Sequence, residues 1–153
     1  MSSRLILAPA TTSRALSRVT TPIGEVRHEA RERALAILYE ASIKAVSIDD
    51  VLATLEVNPD PYARTLVVSA AQNHDRALSL IEEASVNWDL ERISLLDRLV
   101  MELAIGELLL EDRPPRAVIL DEAVELAKVY STEGSGSFVN GILSAIATTL
   151  SIS

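Results

Sequence analysis

The chain has 153 residues, 48% hydrophobic but only 3% aromatic, with no cysteine and a formal net charge of −8 at neutral pH. That length suits one domain or two small halves, and a core packed by Leu, Ile, Val and Ala favours helices over a β-sandwich. The lack of cysteine excludes disulfides and thiolate metal sites and suits a reducing, cytoplasmic setting, and no apolar run reaches the ~20 residues of a membrane-spanning helix.

The charge is unevenly placed. Residues 1–33 hold six Arg against three Glu, whereas the remaining 120 hold eight basic and nineteen acidic side chains. A basic arm on an acidic body suits an anionic partner at the arm and a basic partner on the body, although acidic charge that only prevents self-association would look the same. The two histidines, His28 and His74, have no carboxylate at metal-motif spacing, and no nucleophile–base pair stands out. Nothing here points to a metal, a cofactor or a small-molecule substrate.

In chain order, residues 1–25 are Ser-, Thr- and Arg-rich without sustained periodicity and read as a disordered tail. From Val26, Ala30, Ala34, Ile37, Leu38, Ala41 and Ala45 recur at helical intervals. Ser47-Ile48-Asp49-Asp50 resembles a capped start for a short helix to Leu55. Asn58-Pro59-Asp60-Pro61 is a break, with Asp60 as N-cap and Pro61 in the first helical position. One long helix is then predicted from Ala63 to Ala84, with His74 on its apolar face as a core-edge residue.

After Asn87-Trp88-Asp89, a helix carries Leu95, Leu96, Leu99, Val100, Leu103 and Ala104 to about Leu110. Asp112-Arg113-Pro114-Pro115 ends it and opens another through Tyr130. A flexible loop, Gly134–Ser137, leads to the last helix, with Val139, Ile142, Leu143, Ile146 and Leu150 inward, Ser135 or Ser137 as cap, and Gly141 permitting close helix approach. The fold class is all-α, about seven helices in two small packed subdomains, 26–86 and 87–150.

Several stretches resemble, in order, the signature of the NusB family of transcription antitermination factors. They are Ala30-Arg31-Glu32-Arg33-Ala34 through Leu38-Tyr39, Trp88-Asp89-Leu90-Glu91-Arg92-Ile93 with Asp97-Arg98, Asp121-Glu122-Ala123-Val124-Glu125-Leu126-Ala127-Lys128, and Phe138-Val139-Asn140-Gly141-Ile142-Leu143. The resemblance implies a helical protein without catalytic activity. It would bind boxA RNA of nascent ribosomal RNA transcripts together with NusE, a small-subunit ribosomal protein, in an antitermination complex on RNA polymerase.

On that resemblance Arg27, His28, Arg31 and Arg33 are the candidate arginine-rich RNA contact, joined by Tyr130, Phe138 and Asn140, and Asp97 is the candidate contact for NusE. The residue chemistry agrees: Arg27 and Arg31 are one helical turn apart and can face one run of phosphates, and an aromatic can stack an unpaired base. Two departures weigh the other way. Ser137 and Glu102 stand where the family often carries cations, so a diverged interaction module with weak or lost RNA binding is the alternative reading.

Overall fold

A computed structural model of the protein describes residues 23–86 and 89–153. Trp88 and the tail up to residue 22 lie outside the described residues. Among those described there are seven α-helices, one 3₁₀ turn and no strand, as the periodicity implies. By its internal contacts the chain divides between Thr65 and Leu66, inside the third helix, giving two units.

The first unit contains α1 (Ile23–Lys44), α2 (Ile48–Thr54) and the start of α3 (Pro61–Gln72). α1 buries Ala30, Ala34, Leu35, Ile37, Leu38 and Ala41, a stripe repeating every three or four residues. It ends at Ala45, which takes the left-handed conformation with φ of 54° while the Val46 N–H donates to the Ala41 carbonyl at 3.1 Å. Glycine usually fills that terminating position because it has no Cβ to clash. The expected caps are in place. Ser47 accepts a hydrogen bond from the Asp50 N–H at 3.0 Å, and Asp60 Oδ1 accepts from the Ala63 N–H at 3.0 Å with Pro61 opening α3.

The single helix expected over 63–84 is two, α3 and α4 (His74–Ala84). The interruption is chemical. Asn73 leaves the helical region (φ −103°, ψ 14°), and the Ser69 carbonyl accepts both its backbone N–H at 3.0 Å and its side-chain amide at 2.8 Å, a local clasp that favours a turn over a continued helix. His74 therefore becomes the first residue of α4 and is half exposed, not part of an apolar face.

In the second unit α5 (Leu95–Leu108) is the central helix. Eleven of its fourteen residues are buried, and α4, α6 (Arg116–Tyr130) and α7 (Ser135–Thr149) pack around it. A 3₁₀ turn, Leu90–Arg92, precedes it, and Ser94 caps it by accepting from the Asp97 N–H at 3.2 Å. The second half of α3 docks on α5 at Gly106: the Ser69 hydroxyl donates to the Gly106 carbonyl at 2.7 Å. A Cβ on Gly106 would stand 2.9 Å from the Ala70 backbone nitrogen. Ala77, Ile81, Ile119, Ala123, Leu126, Val139, Leu143 and Ile146 complete this core.

Gly134–Ser137 is not a loop. α7 starts at Ser135, with Gly134 as a cap lacking a side-chain bond. Neither Ser135 nor Ser137 caps it, because Ser135 is already inside the helix and turned inward. Gly141 also differs from expectation: a Cβ there would meet nothing within 4 Å, whereas one on Gly136 would lie 3.0 Å from the Lys128 side chain.

Candidate nucleic-acid and partner interface

In the first unit, the spacing of Arg27 and Arg31 puts both on one side of α1, and both reach the ring of Tyr62 at the start of α3. Their guanidinium carbons lie 4.9 Å and 6.0 Å from the ring centroid. Such contacts fix a guanidinium in place over the ring face. Arg27 is half-buried, whereas Arg31 is only 3% exposed. Arg33 turns elsewhere and donates to the Val57 carbonyl at 3.1 Å. His28 lies 3.9 Å from Glu32, one turn along. The basic start of α1 is thus an ordered group of cations with Glu25, Glu29 and Glu32 between them. Tyr62, which organises it, carries no local sequence signal beyond a tyrosine after a proline.

In the second unit, Tyr130 at the end of α6 and Phe138 in α7 are half-buried, and Asn140 is exposed. Phe138 and Asn140 are two residues apart on one helix, so their side chains leave it in different directions. Asn140 lines a groove between α6 and α7 that includes Arg116, Asp121 and Ser144 but neither Phe138 nor Tyr130.

Asp97 lies in the first turn of α5 and is only 9% exposed. Its Oδ2 accepts a hydrogen bond from the Ser135 hydroxyl at 3.0 Å. Ser135 also lies within hydrogen-bond distance of the Ser131 and Thr132 hydroxyls, at 3.1 and 2.9 Å, and accepts from the Thr132 N–H at 3.3 Å. The serine-rich run before Phe138 thus seats the start of α7 on the start of α5. Asp97 Oδ1 makes no hydrogen bond among the described residues, an uncommon state for a buried oxygen.

Glu102 has a different place from the one the sequence suggests. It is 4% exposed, with Oε2 accepting from Arg98 Nε at 3.0 Å and Oε1 lying 2.5 Å from His74 Nδ1. This carboxylate is a buried tie between α4 and α5 and presents no negative charge at the surface. Among the described residues no three His, Cys, Asp or Glu side chains gather as a metal site, and no helix is long and apolar enough to cross a membrane.

Along most of its length the chain is similar to known proteins. The model of the NusB family matches residues 28–148. The transcription antitermination protein NusB of Sorangium cellulosum is 45% identical over 130 residues, which span 81% of this chain and 93% of that protein. The protein of the same name from Anaeromyxobacter dehalogenans is 41% identical over 131 residues, spanning 81% of this chain and 92% of its own length. Among solved structures, T. maritima NusB superposes with a TM-score of 0.72 at 34% identity, covering 84% of this chain and 92% of that one.

Proposed function

We propose, from the premise that this chain belongs to the NusB family, how it acts as a transcription antitermination factor: it binds boxA-type RNA of nascent ribosomal RNA transcripts together with NusE, within the RNA polymerase antitermination complex in the cytoplasm. It is not an enzyme. The observation that carries the reading is the family match across 28–148, which runs from within α1 to within α7.

The chemistry of the two units supports the division of labour. Arg27, half-buried and held on Tyr62, supplies a cation for phosphate, a sequence-independent and salt-sensitive contribution, while Arg31, only 3% exposed, braces the same ring from inside. His28 lies beside Arg27 on α1, while Arg33 is turned to the Val57 carbonyl. Phe138 and Tyr130, both half-buried, are the aromatics that would stack unpaired bases, and Asn140 offers an amide for a base edge. Asp97 is the NusE-facing carboxylate in this reading. Its unpaired Oδ1 is an acceptor for a basic NusE side chain once the Ser131–Ser135 turn yields.

The burial of Glu102 removes one ground for the diverged-module alternative, because a carboxylate paired inside the protein does not repel RNA. A filter-binding titration tests the reading, with boxA-type and scrambled RNA, each with and without NusE. Tighter binding of the boxA-type RNA when NusE is present is expected. Equal affinity for both RNAs in the presence of NusE refutes it.

A further inference from the structure

The groove between the start of α6 and the middle of α7 has a volume of about 470 Å³, within the ~300–1,000 Å³ usual for ligand pockets. Its chemistry is specific. Leu120 and Pro115 give it apolar surface, while Asp121, Asn140 and Ser144 give it polar edges. Arg116 frames one side and is fully anchored: its guanidinium donates to the Ile152 carbonyl at 3.1 Å and to the Ser144 carbonyl at 3.2 Å. Asp121 and Asn140, by contrast, make no side-chain hydrogen bond or ion pair among the described residues. A carboxylate and a carboxamide thus stand ready in one concavity, close to a fixed cation that offsets the repulsion between Asp121 and a polyanion.

We propose that this groove is a guanine pocket, in which Asp121 and Asn140 read one unpaired base of the bound RNA. The proposal rests on the RNA-binding reading above and deepens it to base identity. A carboxylate has only acceptors, so it selects a base by the donors that base presents. Guanine alone among the four RNA bases presents two adjacent donors on its Watson–Crick edge, N1–H and the N2 amine, and a carboxylate accepts both side by side as a charge-assisted pair. Adenine, cytosine and uracil each offer one donor group there. Next to those donors guanine carries the O6 acceptor, for which the Asn140 amide is the complementary donor, and the ring faces rest on Leu120 and Pro115.

The location also makes sense of Asn140 and Phe138 being two positions apart. At 3.6 residues per turn they point roughly 200° apart around α7. One strand crossing α7 would therefore stack a base on Phe138 and present a different base to the groove.

The experiment measures fluorescence anisotropy of labelled boxA-type RNA bound to the full chain in the presence of saturating NusE. Each guanosine is replaced in turn by inosine, which lacks only the N2 amine. At one position the replacement weakens binding about tenfold, the scale of one good base-edge contact. With Asp121→Asn, which at constant size removes the charge and replaces one of the two carboxylate acceptors by a donor so that N1–H and the N2 amine can no longer both be accepted, guanosine and inosine RNAs bind alike at that position. Equal binding of all guanosine and inosine RNAs by the wild-type chain, with preference for boxA-type RNA intact, overturns the guanine pocket alone. Loss of any preference between boxA-type and scrambled RNA overturns the RNA reading, and the pocket with it.

Discussion

Gly106→Ala is the sharpest test of how the second unit is held together. Helix propensity alone makes the substitution favourable, since alanine in a helix interior is better than glycine by about 1 kcal/mol. The structure reverses the sign. The added Cβ would stand 2.9 Å from the Ala70 nitrogen, 3.1 Å from its Cα and 3.3 Å from the Ser69 carbonyl carbon, all backbone atoms of α3 that cannot rotate away. Overpacking of this kind costs about 1–3 kcal/mol. Moving α3 outward would also stretch the buried Ser69–Gly106 hydrogen bond of 2.7 Å, a contact of about 0.5–1.5 kcal/mol. The net expectation is a destabilisation of about 0.5–3.5 kcal/mol, read as a lower urea midpoint at unchanged slope. Gly141→Ala is the matched control: no atom lies within 4 Å of its added Cβ, so the propensity gain survives and the midpoint rises. A Gly106→Ala variant as stable as wild type would refute the close approach of α3 and α5.

Arg27→Ala should weaken RNA binding by all sequences alike and reduce the slope of log affinity against log salt by about one, as removal of one phosphate contact does; an unchanged slope in a salt titration would show that Arg27 meets no phosphate. Phe138→Ala should lower affinity by about 1–3 kcal/mol per stacked base at nearly constant slope, distinguishing stacking from charge neutralisation in the same titration. For Asp97, charge reversal is a poor probe, because a lysine would have to enter a site only 9% exposed. Asp97→Asn keeps the shape and a hydrogen bond to Ser135, and calorimetry should show NusE binding weakened several-fold at low salt, with the difference shrinking as salt rises. Affinity that is the same at low salt would place Asp97 outside the interface. Glu102→Ala should destabilise the fold by about 1–3 kcal/mol in urea melts, since it removes the partner of both His74 and Arg98, without changing the salt slope of RNA binding.

Much of this protein is written locally in its sequence. Period-3.6 stripes of small and aliphatic residues specify helices whatever they pack against, so the all-α class and the placing of α1, α2, α5, α6 and α7 follow from the residues in each window. The same holds for Ser47 and Asp60, whose capping bonds reach only three residues along the chain. Arg27 and Arg31 on one side of α1 follow likewise from spacing.

What the local pattern could not supply was anything decided by a partner distant in sequence. One miss was local: the α3–α4 break falls at Asn73, whose side-chain amide turns back to the Ser69 carbonyl four residues earlier, a signal that apolar periodicity does not register. Gly106 and Gly141 look alike as helix glycines, yet only the first meets another backbone, 36 residues earlier in the chain at Ala70. Glu102 reads as a surface charge until His74, 28 residues away, is brought against it, and Asp97 as an exposed acid until Ser135 arrives from 38 residues downstream. Tyr62 becomes the support for two arginines only when the start of α3 comes to lie beside α1. Secondary structure is governed by interactions within a few residues and is legible in the chain. Burial and pairing of polar groups depend on contacts across the fold, and only the tertiary structure decides them.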